Sequence, residues 1–223
     1  MRGAVKNVAR RIYNVLWCRP RGMRVIGAGS YLERPWKIEH PALVEVGSNS
    51  VIRAHAWLSA IPSSAGRQYN PKLRIGSNVY IGHHAVITCI DQVEIGDGCV
   101  LSEQVYIADS FHGLDPQDGP IMKRTLGSNG PVKLGRGTFL GLRASVLSGV
   151  TLGEHCIVGA HSVVTKSFPA YTMVAGIPAR PIKTYNHERR EWIKVQQDSP
   201  WESTHGSRQM PITIVIYAPS CWL

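Results

Sequence analysis

Between residues 132 and 166 an aliphatic side chain returns at every sixth position: Leu134, Leu140, Val146, Leu152, Val158 and Val164. Glycine follows four of these, at Gly135, Gly141, Gly153 and Gly159. An α-helix repeats at 3.6 residues and a strand at 2, so neither accounts for the period. A six-residue beat is what a β-helix needs, with short strands stacked coil upon coil around a narrow aliphatic core and a tight corner after each strand. Three strands make a coil, so residues eighteen apart stack. Gly141 then lies on Gly159 and Gly135 on Gly153, which leaves bare backbone at two corners for a ligand to approach. The plainer reading is that each glycine serves only its turn.

Upstream the beat continues with interruptions. It runs through Ile26, Leu32, Ile38 and Val44, then resets at Val46, Ile52 and Leu58. Residues 62–71 break it, with Ser63, Ser64, Gly66 and Asn70 marking a loop flanked by Arg67 and Lys72. It resumes at Ile75, Ile81 and Ile87, slips by two residues around Asp91, and continues through Ile95, Leu101 and Ile107. The next residue in register is Leu134. The stretch between, rich in proline and glycine, is a loop thrown out from the coils, the kind of place where function concentrates on a rigid scaffold.

At the start, Val5, Val8, Ile12 and Leu16 sit at helical spacing with Lys6, Arg10 and Arg11 between them. That is a short basic amphipathic helix, expected either to cap the β-helix or to touch a membrane surface. After Arg180 the beat is gone. Residues 186–194 are polar and read as a short helix, and Ile212 to Tyr217 reads as a strand seeking an edge. The expected division is an N-terminal cap at 1–24, a β-helix at 25–185 with its loop at 108–131, and an extension at 186–223.

The five cysteines form no CxxC pair, which points to reduced structural thiols in a cytoplasmic protein. No segment reads as a signal peptide or a membrane span. A net charge of +10 implies anionic partners without choosing among nucleic acid, an acidic membrane and a phosphorylated small molecule. A P-loop, a G-x-S-x-G and a GxGxxG after a strand are all missing, which counts against ATP-driven, hydrolase and dinucleotide chemistry.

His112 is the first candidate for chemistry. A histidine opening such a loop suits a general base near neutral pH, with Asp109 orienting its ring or holding an acceptor hydroxyl. A structural loop histidine is the alternative. Lys166, Arg180 and Lys183 can hold the phosphates of a cofactor or form a solvated basic rim. His83 and His84 are neighbours on a strand and point to opposite faces, and no histidine spacing matches a zinc pattern, so no metal is expected.

The run Gly159-Ala160-His161-Ser162-Val163-Val164-Thr165-Lys166, then Pro169, then Gly176-Ile177-Pro178-Ala179-Arg180, is similar to the coenzyme A end of galactoside, maltose and related acetyltransferases. From about residue 25 to 186 the chain resembles the hexapeptide-repeat acyltransferases. The stretch with Asp109-x-x-His112-Gly113, Pro120-Ile121 and Gly130-Pro131-Val132 looks like the subgroup that O-acetylates sugars of surface polysaccharides. The resemblance implies an all-β, left-handed parallel β-helix that assembles as a homotrimer with active sites between neighbours. It implies direct transfer from acetyl-CoA to a sugar or polysaccharide hydroxyl, with His112 as base. Coenzyme contacts fall on Gly141 and Ala160 through backbone, and on Thr165, Lys166 and Arg180. The acceptor-side acid falls near Asp91 and a preceding polar position near His84. Coenzyme A gives the positive charge a partner in place of nucleic acid, and the amphipathic start suits work at the inner membrane face. Phe139 stands where many relatives carry tryptophan, and Arg124 near where the subgroup carries glutamine. The rival readings are N-acetylation of an amino-sugar nucleotide, a β-helix carbonic anhydrase (against which Thr88 stands where its second histidine belongs), and a scaffold without catalysis.

Overall fold

The structure, a computed structural model, describes residues 37–195 continuously, with 8–10, 12–13, 16, 22–23 and 25–34 before them. The expected strand from Ile212 to Tyr217 lies outside the described residues. The chain winds as a left-handed parallel β-helix of three faces. Face one stacks Val25–Ile26, Val44–Val46, Lys72–Ile75, Gln92–Ile95, Val132–Leu134 and Thr151–Leu152. Face two stacks Tyr31–Leu32, Val51–Ile52, Tyr80–Ile81, Val100–Leu101, Phe139–Leu140, Ile157–Val158 and Thr172–Gly176. Face three stacks Lys37–Glu39, Trp57–Ala60, Val86–Cys89, Tyr106–Ala108, Ser145–Val146 and Val163–Val164.

Most strands are two to four residues long, so each turns only one or two side chains inward. That is why a single aliphatic residue per six can carry the whole core: Leu134, Leu140, Val146, Leu152, Val158 and Val164 are all buried. The register confirms coils of eighteen, with Leu134 paired to Leu152, Leu140 to Val158 and Val146 to Val164. Glycine is needed at the corner after Leu140. A Cβ on Gly141 would lie 2.6 Å from the amide nitrogen of Ala160, one coil on, inside the closest approach of real atoms.

Small polar side chains line the buried corner between faces one and two and satisfy its carbonyls. Ser50 donates to Gly76 O at 2.8 Å and Thr138 to Gly153 O at 3.2 Å. Cys99 and Cys156 do the same through sulfur, to Gly135 O and Pro169 O. These thiols therefore replace serine or threonine in a structural column, and burial pushes the Cys99 thiol up to about 11.

Every departure from the six-residue beat falls on one edge, between face three and face one. It accommodates the short 3-10 helix Pro41–Leu43, the excursion at 61–71, the two residues Ile90 and Asp91, and the long excursion at 109–131. The other two corners keep the beat across all the coils that carry these insertions. One edge thus carries all the irregular chain, which is what sets the candidate site.

The two ends add to the coils in different ways. At the N-terminus the helical residues touch the first coil through Tyr13, whose hydroxyl donates to Leu32 O at 2.8 Å, and Arg10, which reaches Gly29 O at 3.1 Å. The apolar positions Val8, Ile12 and Leu16 face away and are 59%, 53% and 61% exposed. A cap seated on its apolar stripe is therefore not what forms. At the other end the short helix expected at 186–194 is the second turn of a meander: Thr172–Gly176, Ala179–Asn186 and Glu191–Lys194 pair antiparallel and extend face two. The boundary expected after residue 185 falls inside this unit. Tyr185 packs on His187 and Trp192, an aromatic contact that favours strand over helix.

Candidate active site

The long excursion leaves the coils after Tyr106–Ala108 and returns at Val132–Leu134. Its neck is a two-stranded antiparallel ribbon in which Phe111 pairs with Gly127 and His112 with Leu126. The bond from Gly113 N–H to Thr125 O continues the ribbon, at 2.9 Å. Beyond it the loop closes on itself. Asp115 caps the short 3-10 turn Pro116–Asp118, and the Arg124 guanidinium donates to Gly119 O at 2.8 Å and Gly113 O at 3.1 Å. Arg124 is thus engaged with its own loop.

His112 is buried, at 7% exposure, and neither ring nitrogen has a hydrogen-bond partner. Buried polar atoms are paired in the great majority of cases, so a histidine with two open nitrogens needs an explanation. Both nitrogens are shut off from solvent in the single chain and left without a partner.

Asp109 does not supply the missing partner. It is fully buried, and its two carboxyl oxygens accept from Ile90 N–H at 2.9 Å and Asp91 N–H at 2.8 Å. The residues that slip out of the beat are therefore stapled to the root of the long excursion. Burial pushes the Asp109 carboxyl up, against the amides that hold it down. The expectation that Asp109 orients the histidine or binds an acceptor is corrected accordingly: the carboxylate is committed to backbone. Asp91 itself is exposed on the same edge. Ser148, one coil further, donates to Asp109 O at 2.6 Å and was not evident from the sequence. Its only signal is its place just after Val146, where the register sets it on Asp109.

The remaining candidates divide between the two edges of face three. Thr165 and Lys166 continue the strand Val163–Val164 onto the edge of His112, one rung beyond Ser148. With about 4.8 Å between rungs, Lys166 lies roughly 10 Å along the edge from Asp109. Its ammonium sits 5.8 Å from the Phe168 ring centroid. Gly141, Ala160 and His84 lie on the opposite edge, between faces two and three. Gly141 N–H donates to Val158 O at 2.9 Å, and Ala160 is exposed beside it. Arg180 is exposed on the hairpin that rises from that edge, paired with Ala175. Lys183 pairs with Met173 and with Lys194. His84 stacks on His55 with ring centroids 4.7 Å apart, while His83 accepts from Arg53 at 3.2 Å. The strand Val86–Cys89 separates His84 from Asp91, so these two do not meet within one chain. No group of three or more metal-ligating side chains forms among the described residues.

Two family models match: bacterial transferase hexapeptide (six repeats) over residues 131–166, and hexapeptide repeat of succinyl-transferase over 72–108. A protein of Mycobacterium tuberculosis named as an acetyltransferase is 31% identical over 166 residues, 73% of this chain. A protein of Escherichia coli K12 named as the lipopolysaccharide biosynthesis O-acetyl transferase WbbJ is 39% identical over 124 residues, 52% of this chain. The chain spans 50% and 63% of the length of these relatives. Among solved structures, the N-acyltransferase AntD of Bacillus cereus, in complex with dTDP and 3-hydroxybutyryl-CoA, superposes with a TM-score of 0.64 at 20% identity, over 77% of this chain and 88% of that one.

Proposed function

The chain belongs to the hexapeptide-repeat transferases of the left-handed β-helix fold, and from that premise we propose that it moves an acetyl group from acetyl-CoA to a sugar hydroxyl. The observation that carries this reading is His112, buried at the neck of the long excursion with both ring nitrogens lacking a hydrogen-bond partner. The base takes the hydroxyl proton as that oxygen attacks the thioester carbonyl. The tetrahedral centre collapses, the C–S bond breaks, and the proton goes to the departing thiolate of coenzyme A. One histidine serves both transfers, so no acyl-enzyme is needed. Gly141 and Ala160 offer backbone at a corner too close for side chains, and Thr165, Lys166 and Arg180 offer the polar and cationic groups suited to a polyanionic coenzyme.

A sugar of a surface polysaccharide is the acceptor this reading favours, in line with the name of the Escherichia coli relative. Labelled acetyl-CoA, added with wild-type protein to an envelope carbohydrate extract, should place label in the carbohydrate fraction. Loss of that label in mild alkali identifies an ester. Label that survives alkali identifies an amide and moves the assignment to N-acetylation of an amino sugar.

The divided placement of these residues on the two edges of face three fits a site completed by a neighbouring copy. The outer surfaces support a homotrimer. Face one is polar outside, through Glu45, Arg74, Glu94 and Lys133, with an Arg74–Glu45 ion pair at 3.1 Å. Face two is apolar along its length, through Tyr31, Val51, Tyr80, Val100, Phe139, Ile157 and Met173. A continuous apolar column on a protein surface marks an interaction site.

The N-terminal helix fits contact with an acidic membrane surface. The first 24 residues carry seven lysines and arginines and no acid, and the stripe of Val8, Ile12 and Leu16 is exposed. Full-length protein should sediment with vesicles containing acidic lipid, and protein lacking residues 1–20 should stay in solution. Equal partitioning of the two would remove the membrane from the account. No helix among the described residues is long and apolar enough to cross a membrane.

A further inference from the structure

The shorter excursion, at 61–71, leaves from the same edge two coils before His112 and is hydrogen-bonded to the long one through Tyr69. It carries the two-stranded ribbon Ser63–Ser64 with Arg67–Gln68, then Tyr69. The Tyr69 hydroxyl accepts from Leu126 N–H at 2.8 Å and donates to Leu126 O at 3.0 Å. Leu126 is the residue directly opposite His112 in the neck ribbon, and it is buried. In an antiparallel pair, the flanking bond from Gly113 N–H to Thr125 O makes His112 and Leu126 the non-bonded pair, so the peptide groups of Leu126 point outward, away from the histidine. One phenol then takes the place of a third strand, satisfying donor and acceptor together. Its own position is held by the rest of its loop: Tyr69 N–H donates to Pro62 O at 2.8 Å, and the Arg67 guanidinium lies over its ring, 5.6 Å from the centroid.

We propose that Tyr69 is a positioning residue for His112, fixing the strand that the histidine is paired to. The proposal rests on the reading of His112 as the base. The two hydrogen bonds of this hydroxyl join the two excursions. Without them Leu126 keeps its pairing to His112 but loses the outer support that sets the depth of the ribbon. Misplacing a catalytic group by about 1 Å can lower a rate by roughly 100-fold.

The test is Tyr69→Phe, which removes the hydroxyl and leaves the ring. Acetyl transfer from labelled acetyl-CoA to the envelope carbohydrate extract should fall about 10- to 100-fold, while the KM for acetyl-CoA stays within about twofold. In a His112→Ala background the same change should have no further effect on transfer. A readout free of any acceptor is the imidazole carbon signal of His112 in histidine-labelled protein, identified by its loss in His112→Ala. It should shift in Tyr69→Phe, while the signals of His55 and His155 stay in place. An unchanged His112 signal with unchanged transfer overturns the role of Tyr69 and leaves the base intact. A fall in transfer that persists in the His112→Ala background also overturns it, since the hydroxyl then acts elsewhere. Full transfer by His112→Ala alone overturns both readings.

Discussion

Acetyl transfer by His112→Ala is expected to fall about 10²- to 10⁴-fold, the range a positioned general base supplies, with coenzyme A binding unchanged. The two halves of that expectation come from different parts of the structure. The histidine sits on the edge between faces three and one, at the neck of an excursion. The corner formed by Gly141 and Ala160 lies on the other edge of face three, across a strand from the histidine. Removing the imidazole therefore takes away the proton acceptor without touching the backbone proposed to meet the coenzyme. Steady-state rates with labelled acetyl-CoA, alongside calorimetric binding of coenzyme A, check both halves. Loss of binding along with transfer would mean that the excursion supports the coenzyme site and that the base assignment is unproven by this variant. His112→Gln, which keeps a polar side chain of similar reach but cannot take a proton, then decides: recovered transfer removes His112 as base.

Asp109 sharpens this expectation. A histidine paired to a carboxylate would owe part of its rate to that partner, and Asp109 stands only three residues away. Its oxygens are instead taken by Ile90 and Asp91 N–H. Loss of Asp109 should therefore be felt first in the stability of the edge, because two amides, that of Ile90 buried, lose their acceptor.

Much of this architecture was legible in the sequence because each short strand turns so few residues inward. With one inward aliphatic residue per strand, a period of six translates directly into buried Leu134, Leu140 and Val146, and insertions show as missed beats. The stacking of Gly141 on its neighbour followed from the same count. The count fails across an insertion. Asp109 reaches back to Ile90 and Asp91, and Tyr69 reaches forward fifty-seven residues to Leu126, contacts set by where two irregular loops leave a common edge. No period encodes them. The docking face of the N-terminal helix was hidden for another reason. Helical spacing tells which residues share a face but not which face docks, and Tyr13, whose aromatic ring and hydroxyl reach the first coil together, outweighs a stripe of Val8, Ile12 and Leu16. At 186–194 a polar composition hid an alternation that only makes sense once Ala179–Asn186 is available as a partner strand.

Phe139→Asp is expected to break the assembly and abolish transfer with it. Phe139 is 39% exposed, and Val100 below it 38%, in the middle of the apolar column on face two, while face one presents charges at the equivalent positions. Burying a phenylalanine contributes about 1.5–3 kcal/mol, and a three-fold assembly repeats that at each of three interfaces. An aspartate at the same place forfeits the contribution and adds a carboxylate that must lose water without a partner, a larger penalty than the one removed. The affinity lost is thus several kcal/mol per interface, enough to separate subunits at micromolar concentration, where each 1.4 kcal/mol is a factor of ten. Light scattering should report a wild-type mass about three times 24.6 kDa and a variant near one. Lys133→Asp, a charge change twice as large on face one, should leave the mass unaltered. Because His112 and Lys166 occupy one edge of face three and Gly141 and Ala160 the other, a lone subunit holds the proposed base and the proposed coenzyme corner on separate sides of a strand. Transfer should therefore vanish with the trimer although each fold is intact. A monomeric variant that still transfers acetyl would place the whole site within one chain and would require the coenzyme to cross face three.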